Sequence, residues 1–210
     1  MNGSNLFDEA AATWDAKPDR VVLATAIGEA IVREAKPSQE MDVVDYGCGT
    51  GLLSLFLLPH VRSVTGADNS TGMLDVLNGK IAEMGLENME VMRLDLEHDA
   101  VPERRFHMLV TAMTMHHVRD TETLLKGFHR LLQPGGVVCI ADLDSEPGTF
   151  HAADVAVHHH GFDREELKKQ LSELGFVDPC DVTAHTIRKE AGNGETKDFP
   201  VFLVVARRGV

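Results

Sequence analysis

The sequence predicts an α/β fold in which helices flank a mostly parallel sheet. Residues 41–51, MDVVDYGCGTG, place β-branched valines before a glycine-rich turn, and an apolar segment from Leu52 follows. That order of strand, glycine turn and helix is typical of the first βαβ unit of a nucleotide-binding domain. Apolar strands and amphipathic helices then alternate along the chain, which indicates further βαβ units.

The N-terminal segment is expected to form two helices ahead of this sheet. Asp8 is suited to cap the first helix, and Pro18 suits the first turn of the second, where no backbone N–H is needed. Trp14, the only tryptophan, either packs this arm onto the domain or covers a ligand. We expect residues 1–36 to form a helical arm or lid, and residues 37–210 to form the main domain.

The later elements are predicted from hydrophobic periodicity and from turn residues. Residues 142–162 depart from regular structure, and residues 188–198 are polar and are predicted to be a hairpin loop. The hairpin makes the last two strands antiparallel. Strands after the first are predicted at 63–67, 90–94, 106–112, 137–141, 177–187 and 199–206, with a turn at 133–136.

The glycine turn carries an acid before its first glycine. Asp45 precedes Gly47, Gly49 and Gly51, so the spacing is Asp-x-Gly-x-Gly-x-Gly. A dinucleotide fold requires G-x-G-x-x-G instead, and a carboxylate here repels a pyrophosphate but attracts a cationic ligand. The pattern therefore argues against a nucleotide-dependent oxidoreductase, which is one rival interpretation.

Two more acids end the next two strands. Asp68 follows Gly47 by 21 residues, a distance at which an acid reaches the ribose in βαβ nucleotide sites. Capping of the following helix is the alternative for Asp68. Asp95 comes before Leu96 at the end of the third strand, where a solvated turn acid is the alternative to a ligand contact.

The run LVTAMTMHHV, with the later LLKGFHRLLQPGGVVCIADL, resembles the class I S-adenosylmethionine-dependent methyltransferases. Together with the glycine turn and the acids above, the resemblance covers about residues 40–145. It implies a Rossmann-like fold with a seven-stranded, mostly parallel sheet, a closing antiparallel hairpin and helices on both faces. It also implies S-adenosyl-L-methionine as cofactor and S-adenosylhomocysteine as product.

In that family the acid and apolar residue after the third strand contact the adenine, which assigns this role to Asp95 and Leu96. The cofactor-binding residues that we predict share positions at the carboxyl ends of the strands, in the following helix or in the arm. They are Trp14, Asp45, Gly47, Cys48, Gly49, Gly51, Asp68, Asn69, Met73, Asp95, Leu96 and Ala112.

Histidines cluster after two neighbouring strands. His116 and His117 follow the fourth strand, and His151 and residues 158–160, HHH, follow the fifth. Both loops leave the carboxyl edge of the sheet, so these residues could share one pocket. Imidazole accepts protons near neutral pH, and His116, His117 and His159 are the predicted catalytic residues. Helix capping or core packing is the alternative, and no spacing indicates a metal site.

The charge and cysteine content of the chain indicate which binding partners and which cellular compartment to expect. The chain has 20 basic and 33 acidic residues, for a net charge of −13, which disfavours nucleic acid and anionic membranes. Three scattered cysteines and an N-terminus without a basic or apolar run favour a cytoplasmic protein. We expect a monomer or homodimer.

The resulting hypothesis is an S-adenosylmethionine-dependent methyltransferase that acts on a small molecule. The alternative is a non-catalytic S-adenosylmethionine-binding protein with a regulatory or scaffold role. The sequence identifies neither the acceptor nor the atom that is methylated.

Overall fold

The computed structural model describes residues 3–151, 157–190 and 196–210. Its strands form one sheet of seven, in the order β3-β2-β1-β4-β5-β7-β6. All neighbours are parallel as far as β5, and β7 is antiparallel to both β5 and β6. The strands are β1 (Asp42–Tyr46), β2 (Ser63–Asp68), β3 (Met89–Arg93), β4 (Phe106–Ala112), β5 (Leu132–Leu143), β6 (Phe176–Glu190) and β7 (Thr196–Arg208).

Helices cover both faces of this sheet, because its strands are apolar on both sides. One buried cluster joins the sheet to α2, α3 and α4, and a second joins its other face to α5 and α6. The helices are α1 (Gly3–Ala10), α2 (Pro18–Ala35), α3 (Leu52–Leu57), α4 (Thr71–Met84), α5 (Thr121–Leu131) and α6 (Arg164–Glu173). Short 3₁₀ helices lie at Ala11–Ala16, Leu58–His60 and Met115–His117. The predicted Rossmann-like fold is confirmed.

The strand order reverses between β1 and β4. β1 pairs with β2 on one side and with β4 on the other, so the two connections leave the carboxyl edge in opposite directions. Open α/β sheets bind ligands in the crevice at such a point. The glycine turn after β1 and the histidines after β4 therefore flank the same crevice.

Residues that were predicted as a turn at 133–136 and as a loop at 188–198 lie wholly or partly in strands. Residues 133–136 lie inside β5, where a register shift opposite Phe106–Met108 accommodates them, and Gly135 takes a positive φ of 77°. The predicted hairpin loop over 188–198 is wrong at its ends, since Glu190 pairs with Thr196. These residues are polar because the hairpin is exposed, and a polar segment resembles a loop in sequence. Pairing across the two strands places them in the sheet. The tip, 191–195, is outside the described residues.

Side chains cap the N-termini of three helices, and the cap predicted for the first helix is absent from the described residues. Ser70, Asp120 and Asp163 each accept a backbone N–H from the first turn of the helix that follows. The prediction that Asp8 caps the first helix is wrong, because Asp8 lies within α1 and bonds to α4 instead. Among the described residues, no helix has the length and apolar character to cross a bilayer.

Candidate active site

The turn after β1 owes its shape to three glycines in the left-handed region. Gly47, Gly49 and Gly51 have φ values of 73°, 54° and 83°, which residues with a Cβ rarely adopt. The N–H groups of Gly47 and Cys48 both donate to the carbonyl of Ala67, at 2.7 and 3.1 Å. The turn is thereby held across the ends of β1 and β2.

These glycines differ in what surrounds them. A Cβ on Gly47 would lie 2.2 Å from Thr114 Oγ1, and one on Gly51 would lie 2.3 Å from Leu77 Cδ1. Among the described residues, a Cβ on Gly49 would meet only Met73 Sδ, at 3.9 Å. Gly47 and Gly51 are therefore required for close packing inside the protein, while the backbone at Gly49 faces open space in which a ligand can lie.

Asp68 braces the glycine turn from the end of β2. Its Oδ2 accepts the N–H of Gly49 at 2.8 Å, and its Oδ1 accepts the N–H of Ser70 at 2.9 Å. Burial raises the pKa of Asp68, while the N–H donors oppose that shift. The cap of α4 is Ser70, so the capping alternative for Asp68 is wrong. Each Asp68 oxygen keeps a lone pair for another donor. Asn69 is exposed, with its Nδ2 3.5 Å from Asp95 Oδ2.

Asp45 lies beneath the turn rather than on its surface. It is 1% exposed, and its Oδ2 accepts the hydroxyl of Ser54 at 2.5 Å. Burial raises the pKa of Asp45 to about 7, and repulsion by Asp68 adds to the shift. Cys48 is buried next to it, and burial raises the pKa of its thiol as well.

The turn after β3 is fixed to the end of β1. Leu96 N–H donates to the hydroxyl of Tyr46 at 3.1 Å, and the Leu96 side chain is buried. Asp95 Oδ1 accepts the N–H of Glu97 at 3.0 Å, and its Oδ2 lies 3.0 Å from His98 Nδ1. Asp95 therefore shapes its own turn, as the solvated-turn alternative expects, on the same edge as Asp68 and the glycines.

A strained residue follows β4. Ala112 ends the strand, and Met113 after it has a φ of 55°, an uncommon value for a residue with a long side chain. Such strain persists where the surrounding structure enforces it, often at functional sites. Here the N–H of Met113 donates to Ala141 O at 2.9 Å. The bend directs Thr114 back onto Gly47 and starts the 3₁₀ helix that carries His116 and His117.

The N-terminal arm is attached to α4 by Asp8. Its Oδ1 accepts the hydroxyl of Ser70 at 2.6 Å and the N–H of Gly72 at 2.8 Å. Both donors lie at the N-terminus of α4, where a helix attracts negative charge. These hydrogen bonds lower the pKa of Asp8.

Asp15 attaches the arm to the glycine turn itself. Its Oδ1 accepts the hydroxyl of Thr50 at 2.5 Å, and its Oδ2 lies 2.5 Å from Lys80 Nζ. Lys80 also donates to the carbonyl of Thr50 at 2.6 Å. Two carboxylates therefore fix the arm to elements that border the crevice.

Trp14 connects this arm to the histidines through Phe7. The guanidinium of Arg20 lies 3.4 Å above the Trp14 ring, and the ring of Phe7 meets Trp14 edge-on at 5.8 Å. Phe7 in turn lies 5.1 Å from the ring of His117. The arm thus reaches the carboxyl end of β4 as well as the glycine turn.

Three imidazoles from the two predicted loops meet at this edge. Ring centroids of His116 and His117 are 4.2 Å apart, and His151 lies 4.8 Å from His116 and 5.7 Å from His117. His116 is only 1% exposed, whereas the other two are half-buried. Burial lowers the pKa of His151 to about 4, with repulsion from the other two imidazoles adding to it. Its Nε2 is buried without a hydrogen-bond partner in the described structure.

Sequence reasoning missed the partner of His116. Nδ1 of His116 lies 2.7 Å from Oδ1 of Asp142, which is fully buried at the end of β5. The signal was present, because parallel pairing of β4 with β5 sets Ala112 beside Ala141. Asp142, directly after Ala141, therefore lies beside the segment that follows β4 and carries His116.

The segment at 157–160 joins the same cluster through its backbone. The N–H groups of His158 and His159 donate to the carbonyl of His116, at 2.9 and 3.2 Å. His159 Nε2 lies 3.0 Å from the carbonyl of Val118, so this ring holds the end of the 3₁₀ helix. His160 instead lies near Glu146. Within the ranges that the structure describes, no group of three or more histidine, cysteine, aspartate or glutamate side chains is arranged to hold a metal ion.

Comparisons with known proteins agree with this geometry. Residues 43–136 match the family model of a methyltransferase domain. An uncharacterized methyltransferase from Schizosaccharomyces pombe is 30% identical over 157 residues, which are 68% of this chain and 55% of that protein. A ubiquinone biosynthesis O-methyltransferase from Nitrosomonas europaea is 31% identical over 121 residues, or 57% and 51% of the two chains. This chain spans about half the length of these curated relatives.

Among solved structures, the DhpI–SAH complex superposes with a TM-score of 0.74 at 22% sequence identity, covering 99% of this chain and 95% of that one. This likeness supports the fold. The matched domain runs from β1 to the start of β5 and so contains the glycine turn and both acids that end the next strands. The chain therefore belongs to the class I S-adenosylmethionine-dependent methyltransferases, as its sequence predicted.

Proposed function

We propose that this protein transfers a methyl group from S-adenosylmethionine to a small-molecule acceptor. The observation that carries the proposal is the open backbone at Gly49, bordered by the Asp68 carboxylate at the point where the strand order reverses. Membership of the methyltransferase family supports it, since that family uses S-adenosylmethionine. When bound, the cofactor supplies a methyl group on a positively charged sulfur.

The residues at the crevice fit such a group. Gly49 leaves room for a ligand against bare backbone, next to Met73, and Asp68 has lone pairs for ribose hydroxyls. Asp95 and Leu96 would border the adenine, as the family resemblance implies. The remaining cofactor contacts that we propose are Trp14, Gly47, Asn69 and Ala112. Asp45, Cys48 and Gly51 are buried and would shape the turn beneath the cofactor.

The acceptor side is formed by the histidines. We propose that His117, half-buried and next to Phe7, touches the acceptor and orients it or takes its proton. His116 is too buried to touch an acceptor, so it is a positioning residue. Asp142 fixes its imidazole next to the ring of His117. His159 secures the segment through Val118.

Methyl transfer demands little covalent chemistry from these residues. The acceptor atom forms a bond to the methyl carbon as the carbon–sulfur bond breaks, and the electron pair stays on sulfur. The protein must hold the acceptor in line with that bond. A base is needed only where the acceptor atom carries a proton that has to leave.

The first experiment is calorimetric titration with S-adenosylhomocysteine. We expect binding, and a higher melting temperature, because a ligand that binds only the native state stabilises it. Asp68→Asn should weaken affinity about 10- to 100-fold, as expected for a hydrogen bond to a charged group. Asp75→Asn, an exposed carboxylate on α4, is the matched control. Stabilisation by NAD in place of S-adenosylhomocysteine would contradict the proposal.

A second experiment separates the enzyme from a non-catalytic regulatory or scaffold protein. Incubation with methyl-labelled cofactor and a pool of metabolites should transfer label to a small molecule. Tight binding of S-adenosylhomocysteine, without transfer to any pool component, would favour the non-catalytic alternative. His117→Ala should reduce transfer and leave the affinity for S-adenosylhomocysteine nearly unchanged.

A further inference from the structure

A continuous row of side-chain rings crosses the carboxyl edge of the sheet beside the glycine turn. We call it the ring wall, and it consists of Trp14, Phe7, His117, His151 and Phe150. Successive ring centroids lie 5.8, 5.1, 5.7 and 4.8 Å apart, and each contact is edge-to-face. Such spacings are those of favourable aromatic contacts.

The ring wall is assembled from three separate segments. Phe7 and Trp14 come from the arm, His117 follows β4, and Phe150 and His151 follow β5. All five side chains are half-buried, in contrast to the core phenylalanines 106, 128 and 202, which are fully buried. Cations lie over Trp14 and Phe150 at the two ends of the ring wall. A contiguous group of partly exposed rings is typical of a ligand-binding surface.

The position of the ring wall connects it to methyl transfer. His117 lies in the 3₁₀ helix that starts just after Thr114, and Thr114 packs against Gly47 of the cofactor turn. The ring wall therefore begins next to the crevice and extends away from it toward β6. An acceptor whose reactive atom is near the cofactor would have its remaining atoms against these rings.

The polar groups beside the ring wall indicate which charge its ligand carries. Rings also bind quaternary ammonium groups, but the ammonium of Lys189 lies 3.7 Å above the ring of Phe150 and would repel such a cation. His151 offers a buried Nε2 that no described residue bonds. Both features suit a neutral or anionic ligand with an oxygen substituent.

We propose that the acceptor is a planar aromatic molecule, neutral or anionic, and that Phe7 of the arm is a specificity-determining residue. The inference rests on the proposed function and adds the chemical class of the acceptor. An aromatic acceptor would pack edge-to-face or offset against Phe7 and the neighbouring ring of His117. The half-buried faces of the ring wall would become covered at the same time.

The test measures binding to protein saturated with S-adenosylhomocysteine. Probes are 3,4-dihydroxybenzoate, 4-hydroxybenzoate and salicylate, each paired with its saturated cyclohexane counterpart, with choline as the cationic probe. Dissociation constants come from ¹⁵N chemical-shift titration. We expect the aromatic member of each pair to bind about 2- to 10-fold tighter, the range that a single aromatic contact gives. Phe7→Leu keeps an apolar side chain without the ring and should reduce this ratio toward one.

Phe56→Leu is the control, because Phe56 is also half-buried but lies on α3 away from the ring wall. It should keep the wild-type ratio. Equal affinity for aromatic and saturated probes, tighter binding of choline, or no binding of any aromatic probe would overturn the inference while the proposed function stands. Failure of S-adenosylhomocysteine itself to bind would contradict the proposed function.

Discussion

Nδ1 of His116 lies 2.7 Å from Oδ1 of Asp142, and neither side chain is more than 1% exposed. A carboxylate only accepts hydrogen bonds, so Nδ1 carries the proton of this contact. The backbone N–H groups of Leu143 and His116 also donate to Asp142, at 2.8 and 3.3 Å. The pair therefore fixes both the orientation of the imidazole and the course of the chain after β4 and β5.

Asp142→Asn should destabilise the protein by about 1–3 kcal/mol, because an amide offers one acceptor oxygen where three donors now converge. Urea unfolding measures the change. Asp198→Asn, an exposed carboxylate on β7 that is 3.7 Å from Arg188, should alter stability by less than about 1 kcal/mol. Equal stability of the two variants would show that the buried pair contributes nothing beyond an exposed one.

Asp45 should make the protein less stable as pH rises. Burial raises its folded-state pKa from 3.8 to about 7, so between those values the folded state holds a proton that the unfolded state has released. The contribution of Asp45 to the free energy of unfolding is largest below about pH 4. It falls as pH rises and is lost above pH 7.

Asp45→Asn should remove that slope. Relative to wild type, its unfolding free energy should improve by roughly 2 to 3 kcal/mol between pH 5 and pH 8. Urea unfolding at both pH values measures this difference, and any constant effect of the amide cancels. Asp75→Asn is the exposed control. Parallel pH profiles for Asp45→Asn and wild type would show that Asp45 is ionised in the folded protein at pH 5.

The fold could be predicted because β1, β4 and the buried part of β5 are apolar runs that a turn residue or an acid ends. Val43 and Val44 precede the acid Asp45, and the run from Phe106 ends before the bend at Met113. In such stretches the local sequence pattern is enough to predict a strand. The hairpin was predicted less well. Residues 188–190 and 196–198 are polar, and only pairing across the strands places them in the sheet.

The positions of the candidate site residues could be predicted in part for a similar reason. Parallel strands that end side by side bring Asp68, Asp95 and the histidines to one edge, and topology alone determines this. The contacts of Asp8 and Asp15 depend on how the arm packs in three dimensions, and no local pattern records it. Asp142 belonged to a predicted irregular segment, so its pairing with His116 was not anticipated.

The three cysteines should differ sharply in reactivity. Cys48 and Cys139 are buried, and burial raises the pKa of both thiols, whereas Cys180 is exposed. Only the thiolate reacts with alkylating agents. Iodoacetamide at pH 8 should label Cys180 and leave the other two intact until urea is added, as peptide mass spectrometry would show. Rapid native labelling of Cys48 would indicate that the glycine turn opens in solution.

The contact between the arm and α4 can be tested with one methyl group. A Cβ on Gly72 would lie 2.9 Å from the backbone of Asp8, whereas a Cβ on Gly79 of the same helix would meet no described atom within 4 Å. Gly72→Ala should displace the arm, and Gly79→Ala should be neutral or slightly stabilising, since alanine favours helices. Chymotrypsin, which cleaves after Phe7 and Trp14, reports how often the arm opens.

We expect cleavage of the arm to be about tenfold faster in Gly72→Ala than in wild type, if the overlap weakens docking by about 1.4 kcal/mol. Gly79→Ala should match wild type. The prediction that the N-terminal arm forms a lid adds a second outcome, because a lid that closes over the cofactor is held shut by ligand. S-adenosylhomocysteine should then slow cleavage in wild type and Gly79→Ala, and less so in Gly72→Ala. Equal rates with and without ligand in all three proteins would leave the arm as a packed extension of the domain.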